Sequence, residues 1–497
     1  MEPDRDTASA SGLHLGRLSA AYAGGGPPVL AGLDLHLAPG SYLGVSGASG
    51  AGKTTLTRIA AGLARSVDGF ALGGRAEYVP ARPTPFTAPT DLRAKRLDEL
   101  RHYRRRLVGR VTEDPVVGLH PQRTIAQSWR RLGLPGTAAE GLAALAIPAP
   151  ETLAHRRPHQ VSGGEAQRVR LAMALARAPE LLLLESPVAA LDPLTRKTVL
   201  DAVRVAVEGG ASCLHVSHDT ELLACIADSA LELRGGRLHP SPGNRADYLA
   251  ADPPNPPSDG EVVLAAEQLT VRYPGSSDPA LRPLSFELAR GGALGVVGRS
   301  GSGKTSLALA LSGLVAYRGR VRLATRDARA VQYVWQEPRR SLNPSFTVGR
   351  TLTEAGVAKR DLARHLDRVG LPAGLIPRNA LTLSTGQMQR LAIARALAVS
   401  PAVLVCDEIA AGLDHDNRRR IVELLDGLRA AEGLAVVFVT HDLRLARRVS
   451  RDILALEGGS VRERGRTREV LSAPRSEVLA AMVAADRALR GRRGNRD

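Results

Sequence analysis

The sequence predicts an α/β protein built from two similar domains in tandem, each carrying a phosphate-binding loop. Three observations predict it. The pattern GxxxxGK[ST] occurs twice, at Gly47–Thr54 and at Gly298–Thr305. Each copy follows a short apolar strand (YLGVSG, ALGVVG) and leads into a helix starting at the lysine, the context such a loop requires. Later elements recur at a near-constant offset: the separations Gly164 to Gly386, Ser186 to Glu408 and His218 to His441 agree to within one residue. A chain of 497 residues, 44% of them hydrophobic, is long enough for two or three domains with cores of their own.

Each half opens on alternating apolar residues that read as strands, LHLGRLSAAY (Leu13–Tyr22) and VVLAAEQLTVRY (Val262–Tyr273). The loops come next. Gly47, Ser49, Gly50, Gly52, Lys53, Thr54 and Thr55 form the first; Gly298, Ser300, Gly301, Gly303, Lys304, Thr305 and Ser306 form the second. Glycines let consecutive backbone N–H groups wrap a phosphate, and the helix N-terminus adds positive potential. The lysines would reach the β/γ oxygens of a nucleotide, and Thr54 and Thr305 would ligate Mg²⁺. The stretch from Lys53 to Glu113 is nearly twice as long as that from Lys304 to Gln336, so the first half keeps a peripheral segment around Tyr78–Arg106 that the second lacks. Then follow VSGGE (Val161–Glu165) and LSTGQ (Leu383–Gln387), each opening a helix. LLLL (Leu181–Leu184) and VLVC (Val403–Cys406) are continuous apolar runs, as expected of strands buried on both faces. The first runs into Glu185-Ser186, the second into Asp407-Glu408. The boundaries expected are a first domain at 12–238, a Pro-rich linker at 239–260, a second domain at 261–465 and a short extension with a charged, frayed tail at 466–497.

Composition excludes several classes. No apolar run approaches the ~18 residues of a bilayer-spanning helix, and the polar N-terminus MEPDRDTASASG lacks a signal peptide's apolar stretch. Cys213, Cys225 and Cys406 stand singly in apolar surroundings and read as small buried residues. The net charge of +17 does not come with a nucleic-acid recognition motif. Only Lys53, Lys95, Lys197, Lys304 and Lys359 are lysines; the rest of the 67 basic residues are arginine, a skew expected of a GC-rich genome. A specific nucleic-acid partner is not expected.

The ordered set of phosphate loop, SGG segment, apolar strand ending in acidic residues, turn (Ala190-Leu191-Asp192; Gly412-Leu413-Asp414) and strand ending in His-Asp resembles the ATPase domain of ABC proteins. The resemblance implies, for each domain, a mixed sheet core, an antiparallel β subdomain and a helical subdomain. It also implies ATP and Mg²⁺ as cofactors, with two ATP molecules each held between the loop of one domain and the SGG segment of the other. Tyr22 and Tyr273 match the aromatic that stacks on adenine. One composite site then joins the Lys53 loop to Ser384-Thr385-Gly386, with Glu185 for the usual Asp, Ser186 for the catalytic Glu and Glu113 for the usual Gln. The other joins the Lys304 loop to Ser162, Gly163 and Gly164. There Glu408 would polarise the attacking water, His441 contact the γ-phosphate, Gln336 sense it, and Asp407 and Gln336 hold Mg²⁺. All departures fall in one site, which reads as one hydrolytic and one degenerate site.

RRSLNP (Arg339–Pro344), EDPVVGLHP (Glu113–Pro121) and RRPHQVSGG (Arg156–Gly164) resemble segments of the paired ATPase subunits of oligopeptide, dipeptide and nickel importers, here fused. That implies a peripheral protein on the cytoplasmic face of the membrane. Its partners would be two integral-membrane permeases and an extracytoplasmic solute-binding protein, with Val116–Trp129 and Arg339–Leu352 as docking surfaces. Two features depart from those subunits: the chain has no C-terminal cysteine cluster for an iron–sulfur centre, and its extension is short. Alternatives are an exporter ATPase for drugs or antimicrobials and a tandem ATPase acting on ribosomes; the short Pro-rich linker and Ser186 argue against the latter.

Overall fold

The computed structural model describes residues 10–22, 26–64, 70–81, 89–93, 97–114, 118–189, 191–241, 249, 260–276, 278–325, 327 and 329–491. Two compact units emerge, Met1–Arg245 together with Arg487–Asp497, and Ala246–Asp486. Parts of the expected linker and tail, and Ala190 and Val116, lie outside the described residues.

In the first unit β1 (Gly12–Tyr22), β2 (Leu30–Leu37), β4 (Phe70–Val79) and β5 (Thr90–Asp91) form an antiparallel sheet in the order β2-β1-β4-β5. A second sheet takes the order β10-β9-β3-β8-β7-β6, from β3 (Tyr42–Ser46), β6 (Val108–Val111), β7 (Leu181–Glu185), β8 (Ser212–Val216), β9 (Ser229–Arg234) and β10 (Arg237–Pro240). Its pairs are parallel except β9 with β10. Leu181–Leu184 are fully buried, which explains their unbroken apolar run; each leucine contributes about 1.5–3 kcal/mol of burial. Strand β10 takes His239 and Pro240, which composition assigns to the linker.

The second unit repeats the plan with fewer pieces. Its antiparallel sheet, β12-β11-β14, has three strands: β11 (Val262–Val271), β12 (Leu281–Ala289) and β14 (Arg318–Leu323). Its mixed sheet runs β15-β16-β17-β13-β18-β19, from β13 (Ala293–Gly298), β15 (Val331–Val334), β16 (Val403–Asp407), β17 (Ala435–Val439), β18 (Asp452–Glu457) and β19 (Ser460–Arg466).

The extra length of the first unit supplies β5 and the helix Leu97–Arg106. Tyr103 on that helix donates its hydroxyl to Ala60 O at 2.6 Å, at the end of the phosphate-loop helix, and its ring lies 5.4 Å from that of Tyr78. The segment therefore buttresses the loop helix from below. One expectation fails: the chain is not frayed from Arg487. The helix Glu477–Gly491 continues through it, Leu489 is buried in the first unit's core, and Arg490 Nη1 pairs with Glu221 Oε2 at 2.9 Å. Apolar spacing at Leu479, Met482 and Leu489 overrides the charge of the arginines.

Candidate active sites

The two phosphate loops are near-copies. Each ends at a left-handed glycine, Gly52 (φ 104°) or Gly303 (φ 99°), that N-caps the helix beginning at the lysine. Lys53 Nζ donates to Gly47 O and Ala48 O at 2.8 and 2.9 Å; Lys304 Nζ donates to Gly298 O and Arg299 O at 2.9 and 2.8 Å. Thr54 and Thr305 are exposed on the first turn. Tyr22 and Tyr273 are 42% and 38% exposed, and each hydroxyl is tied to the loop helix, at Thr55 Oγ1 (3.1 Å) and Ser306 Oγ (3.2 Å). Tethered, partly exposed rings suit stacking on a planar base.

The SGG segments also match in backbone. Ser162 and Ser384 are N-caps with nearly equal angles (φ −67°, ψ 160° and φ −65°, ψ 158°), each in a capping box with Glu165 or Gln387. Thr385 therefore adds an exposed side chain without altering the helix start. Gly386 has no room for more: a Cβ there would come within 2.4 Å of Asn417 Oδ1.

The strand ends differ. In the second unit the Glu408 carboxylate, at the left-handed position φ 50°, meets His441 Nδ1 at 3.3 Å through Oε1 and accepts from Gln336 Nε2 at 2.8 Å through Oε2. Burial pushes its pKa up, but the His441 hydrogen bond and charge, with Lys304, hold it below the ordinary glutamate value. Asp407 accepts from the Tyr333 hydroxyl at 2.6 Å, while its Oδ1 is buried without a hydrogen-bond partner. Burial raises Asp407 above the usual range; Tyr333, Thr305 and Lys304 pull it back, and Glu408 adds to the rise. Gln336, Asp407, Glu408 and His441 thus come together beside the Lys304 loop, as the sequence predicts.

In the first unit the corresponding turn is intact but carries a serine in place of the glutamate. Ser186 keeps the left-handed backbone at φ 47°. Glu185 is buried, and its Oε1 accepts from Thr57 Oγ1 (2.8 Å), Arg110 Nη2 (2.7 Å) and Arg110 Nε (3.2 Å). Arg170 lies behind, donating to Thr112 Oγ1, Asp114 O (3.0 Å) and Arg110 O (3.3 Å); burial first, then the like charge of Arg110, lowers it to about 10. Glu113 stands at the rim, its pKa raised by desolvation, lowered by Lys53 and raised again by Glu185. His218 Nδ1 is 3.5 Å from Lys53 Nζ. Sequence reasoning missed Thr57, Arg110, Arg170 and Tyr333. Aligning the halves would have flagged them: Thr57 falls opposite Ala308, Arg110 opposite Tyr333, and Arg170 opposite Ala392.

The family model described as ABC transporter matches residues 30–189 and 281–411, more than half of the chain. The chain belongs to the ABC transporter ATPase family. As an ABC ATPase it binds and hydrolyses ATP as the energy-coupling part of a larger system. It is 30% identical to a peptidoglycan transport ATP-binding protein (YejF) of Agrobacterium fabrum, over 76% of this chain and 79% of the relative. It is 28% identical to a glutathione import ATP-binding protein (GsiA) of Salmonella typhimurium, over 97% and 89%, and 27% identical to an oligopeptide transport ATP-binding protein (OppD) of Mycobacterium tuberculosis, over 94% and 97%. Among solved structures it is similar to an RNase-L inhibitor (20% identity, TM-score 0.63, 89% of this chain and 88% of that one). It is similar too to a chain in a model of ribosome-bound archaeal Pelota and ABCE1 (20%, TM-score 0.67, 93% and 80%); at that identity the likeness concerns the fold alone. Among the described residues no helix of this ABC ATPase is long and apolar enough to cross a membrane.

Proposed function

We propose that this ABC ATPase energises an importer of peptides, or of nickel or metal chelates, using one hydrolytic ATP site and one degenerate site. The observation that carries the unequal sites is the Glu408 carboxylate, charged and held between Gln336 and His441, where the first unit has Ser186. Glu408 orients the attacking water and takes its proton; His441 and Lys304 meet the developing charge on the γ-phosphate. Tyr22 and Tyr273 stack on adenine, and Ser162, Gly163, Gly164, Ser384 and Gly386 close over phosphates. Mg²⁺ fits the second unit, where Thr305, Gln336 and the unpartnered Asp407 Oδ1 offer oxygen to a hard cation that would neutralise phosphate charge.

The importer reading is supported by the names of the relatives and by the RRSLNP and RRPHQVSGG segments. Its partners are then two integral-membrane permeases and an extracytoplasmic solute-binding protein. They would hold the ATPase on the cytoplasmic face of the membrane through Val116–Trp129 and Arg339–Leu352. ATP binding would close the machine and hydrolysis reopen it.

Two experiments test this. Glu408→Gln abolishes steady-state ATPase while Ser186→Ala leaves it nearly unchanged; near-normal turnover in Glu408→Gln would overturn the unequal assignment. A mild-detergent pull-down of tagged Glu408→Gln protein from its native host with ATP yields two permeases and a solute-binding protein. Permeases without a binding protein would favour export, and ribosomal proteins without a membrane partner would remove transport altogether.

A further inference from the structure

The first unit's loop helix reaches, through Thr57 and Glu185, the arginines Arg110 and Arg170, which hydrolysis does not use. Three donors converge on one oxygen of Glu185, from Thr57 Oγ1 at 2.8 Å and Arg110 at 2.7 and 3.2 Å. In the second unit Ala308 and Tyr333 stand at those two positions, and the carboxylate keeps one buried oxygen without a hydrogen-bond partner. The charges differ in the same direction. Lys53, Arg110 and Arg170 accompany Glu185, Glu113 and Asp114, whereas Lys304 accompanies Asp407 and Glu408.

We infer that the first site takes its nucleoside triphosphate without a bound Mg²⁺, the Arg110 guanidinium filling the charge role that the ion has in the second unit. This rests on the reading that the first unit binds ATP. Mg²⁺ demands near-ideal octahedral oxygen coordination and usually reaches the protein through one or two carboxylates. Here one oxygen of the carboxylate at that place is paired with a guanidinium, and a divalent ion beside it meets like charge in a poorly solvated site. On this inference the exposed Thr54 hydroxyl, a Mg²⁺ ligand by sequence, holds no ion in the first unit. A triphosphate held without the ion lacks the charge neutralisation that phosphoryl transfer needs, so the arginine cluster itself keeps the site from turning over.

The test uses the full chain. Lys304→Ala leaves the first site to be titrated with a fluorescent N-methylanthraniloyl ATP, and Lys53→Ala leaves the second. With EDTA in place of Mg²⁺, first-site affinity changes by no more than about twofold, while second-site affinity falls by about tenfold or more. Equal losses at both sites overturn the inference; absence of nucleotide at the first site under either condition instead overturns the underlying reading of it as an ATP site. Electron paramagnetic resonance with Mn²⁺ as the probe counts one ion per wild-type chain with ATP bound, and a count of two refutes the proposal. The double variant Thr57→Ala, Arg110→Tyr, which borrows the second unit's residues, gains a second Mn²⁺. If that variant fails to fold, the wild-type count decides.

Discussion

Two turns of nearly identical backbone end the central strands β7 and β16, and they carry opposite chemistry. Ser186 and Glu408 both adopt the left-handed region, at φ 47° and 50°, and both backbone N–H groups donate across the sheet, to Val216 O at 2.9 Å and Val439 O at 3.0 Å. A non-glycine residue there costs of order 1–3 kcal/mol and persists only where surroundings impose it. The first unit retains that strain without the carboxylate that would use it. The turn is therefore set by packing and by the Gln167 Nε2 bond to Ser186 O (2.8 Å), not by the catalytic group. Chemistry diverged around a fixed frame: Thr57 and Arg110 donate to one oxygen of Glu185, where Tyr333 donates to Asp407 and leaves its buried Oδ1 without a partner.

The contrast can be broken most directly at its strongest point. Glu408→Gln lowers kcat by about three orders of magnitude, within the 10²–10⁴ range of general-base catalysis, against about twofold or less for Ser186→Ala. Transplanting the glutamate as Ser186→Glu in the Glu408→Gln background restores no turnover, because Glu185 stays clamped by Arg110; a phosphate-release assay checks all three variants.

A second comparison lies one strand over. His215 on β8 stands where β17 has Phe438, fully buried, with Tyr42 Oη 2.8 Å from its Nδ1. Burial depresses its pKa to about 3, with Asp219 opposing weakly. The unfolded chain then binds a proton that the folded unit refuses between pH ~6.5 and ~3, so stability is complete above that window and is lost as pH falls through it, by about 1.4 kcal/mol per pH unit. His215→Phe removes that slope, at a cost near neutrality of about 1–3 kcal/mol for the orphaned Tyr42 hydroxyl. Denaturant titrations at pH 7 and pH 5 read by Trp129 fluorescence in a Trp335→Phe background check it; an unchanged slope would refute the assignment.

Smaller effects sharpen the comparison. Tyr333→Phe takes a donor from buried Asp407, which the hydroxyl currently holds down, so the acid limb of the ATPase profile moves to higher pH. The loss corresponds to about 1–3 kcal/mol in affinity or rate. Arg490→Ala, which cuts the half-buried pair with Glu221, lowers first-unit stability by about 1 kcal/mol or less in the same Trp129 titration.

Much of the site was legible because its parts are local or periodic. Glycines at fixed spacing before a lysine dictate a phosphate loop wherever a strand precedes them, and unbroken runs such as Leu181–Leu184 specify doubly buried strands. Serine three residues before Glu165 or Gln387 announces a capped helix. In the tail the charge density at Arg487–Arg490 conceals the buried Leu489 of a helix that runs on to Gly491.

By itself the sequence determined two tandem phosphate-loop domains, their order of elements and the loss of a carboxylate at Ser186, since each is written in contiguous residues. Only the tertiary structure decided what became of Glu185. Its partners lie 128 and 75 residues away in the chain, at Thr57 and Arg110, and no local pattern brings them together. Side-chain ion pairs of that separation depend on which strands become neighbours. Here β6 pairs with β7, and the loop helix packs against the strand end, because burying apolar faces fixes the sheet order before any charge finds its partner.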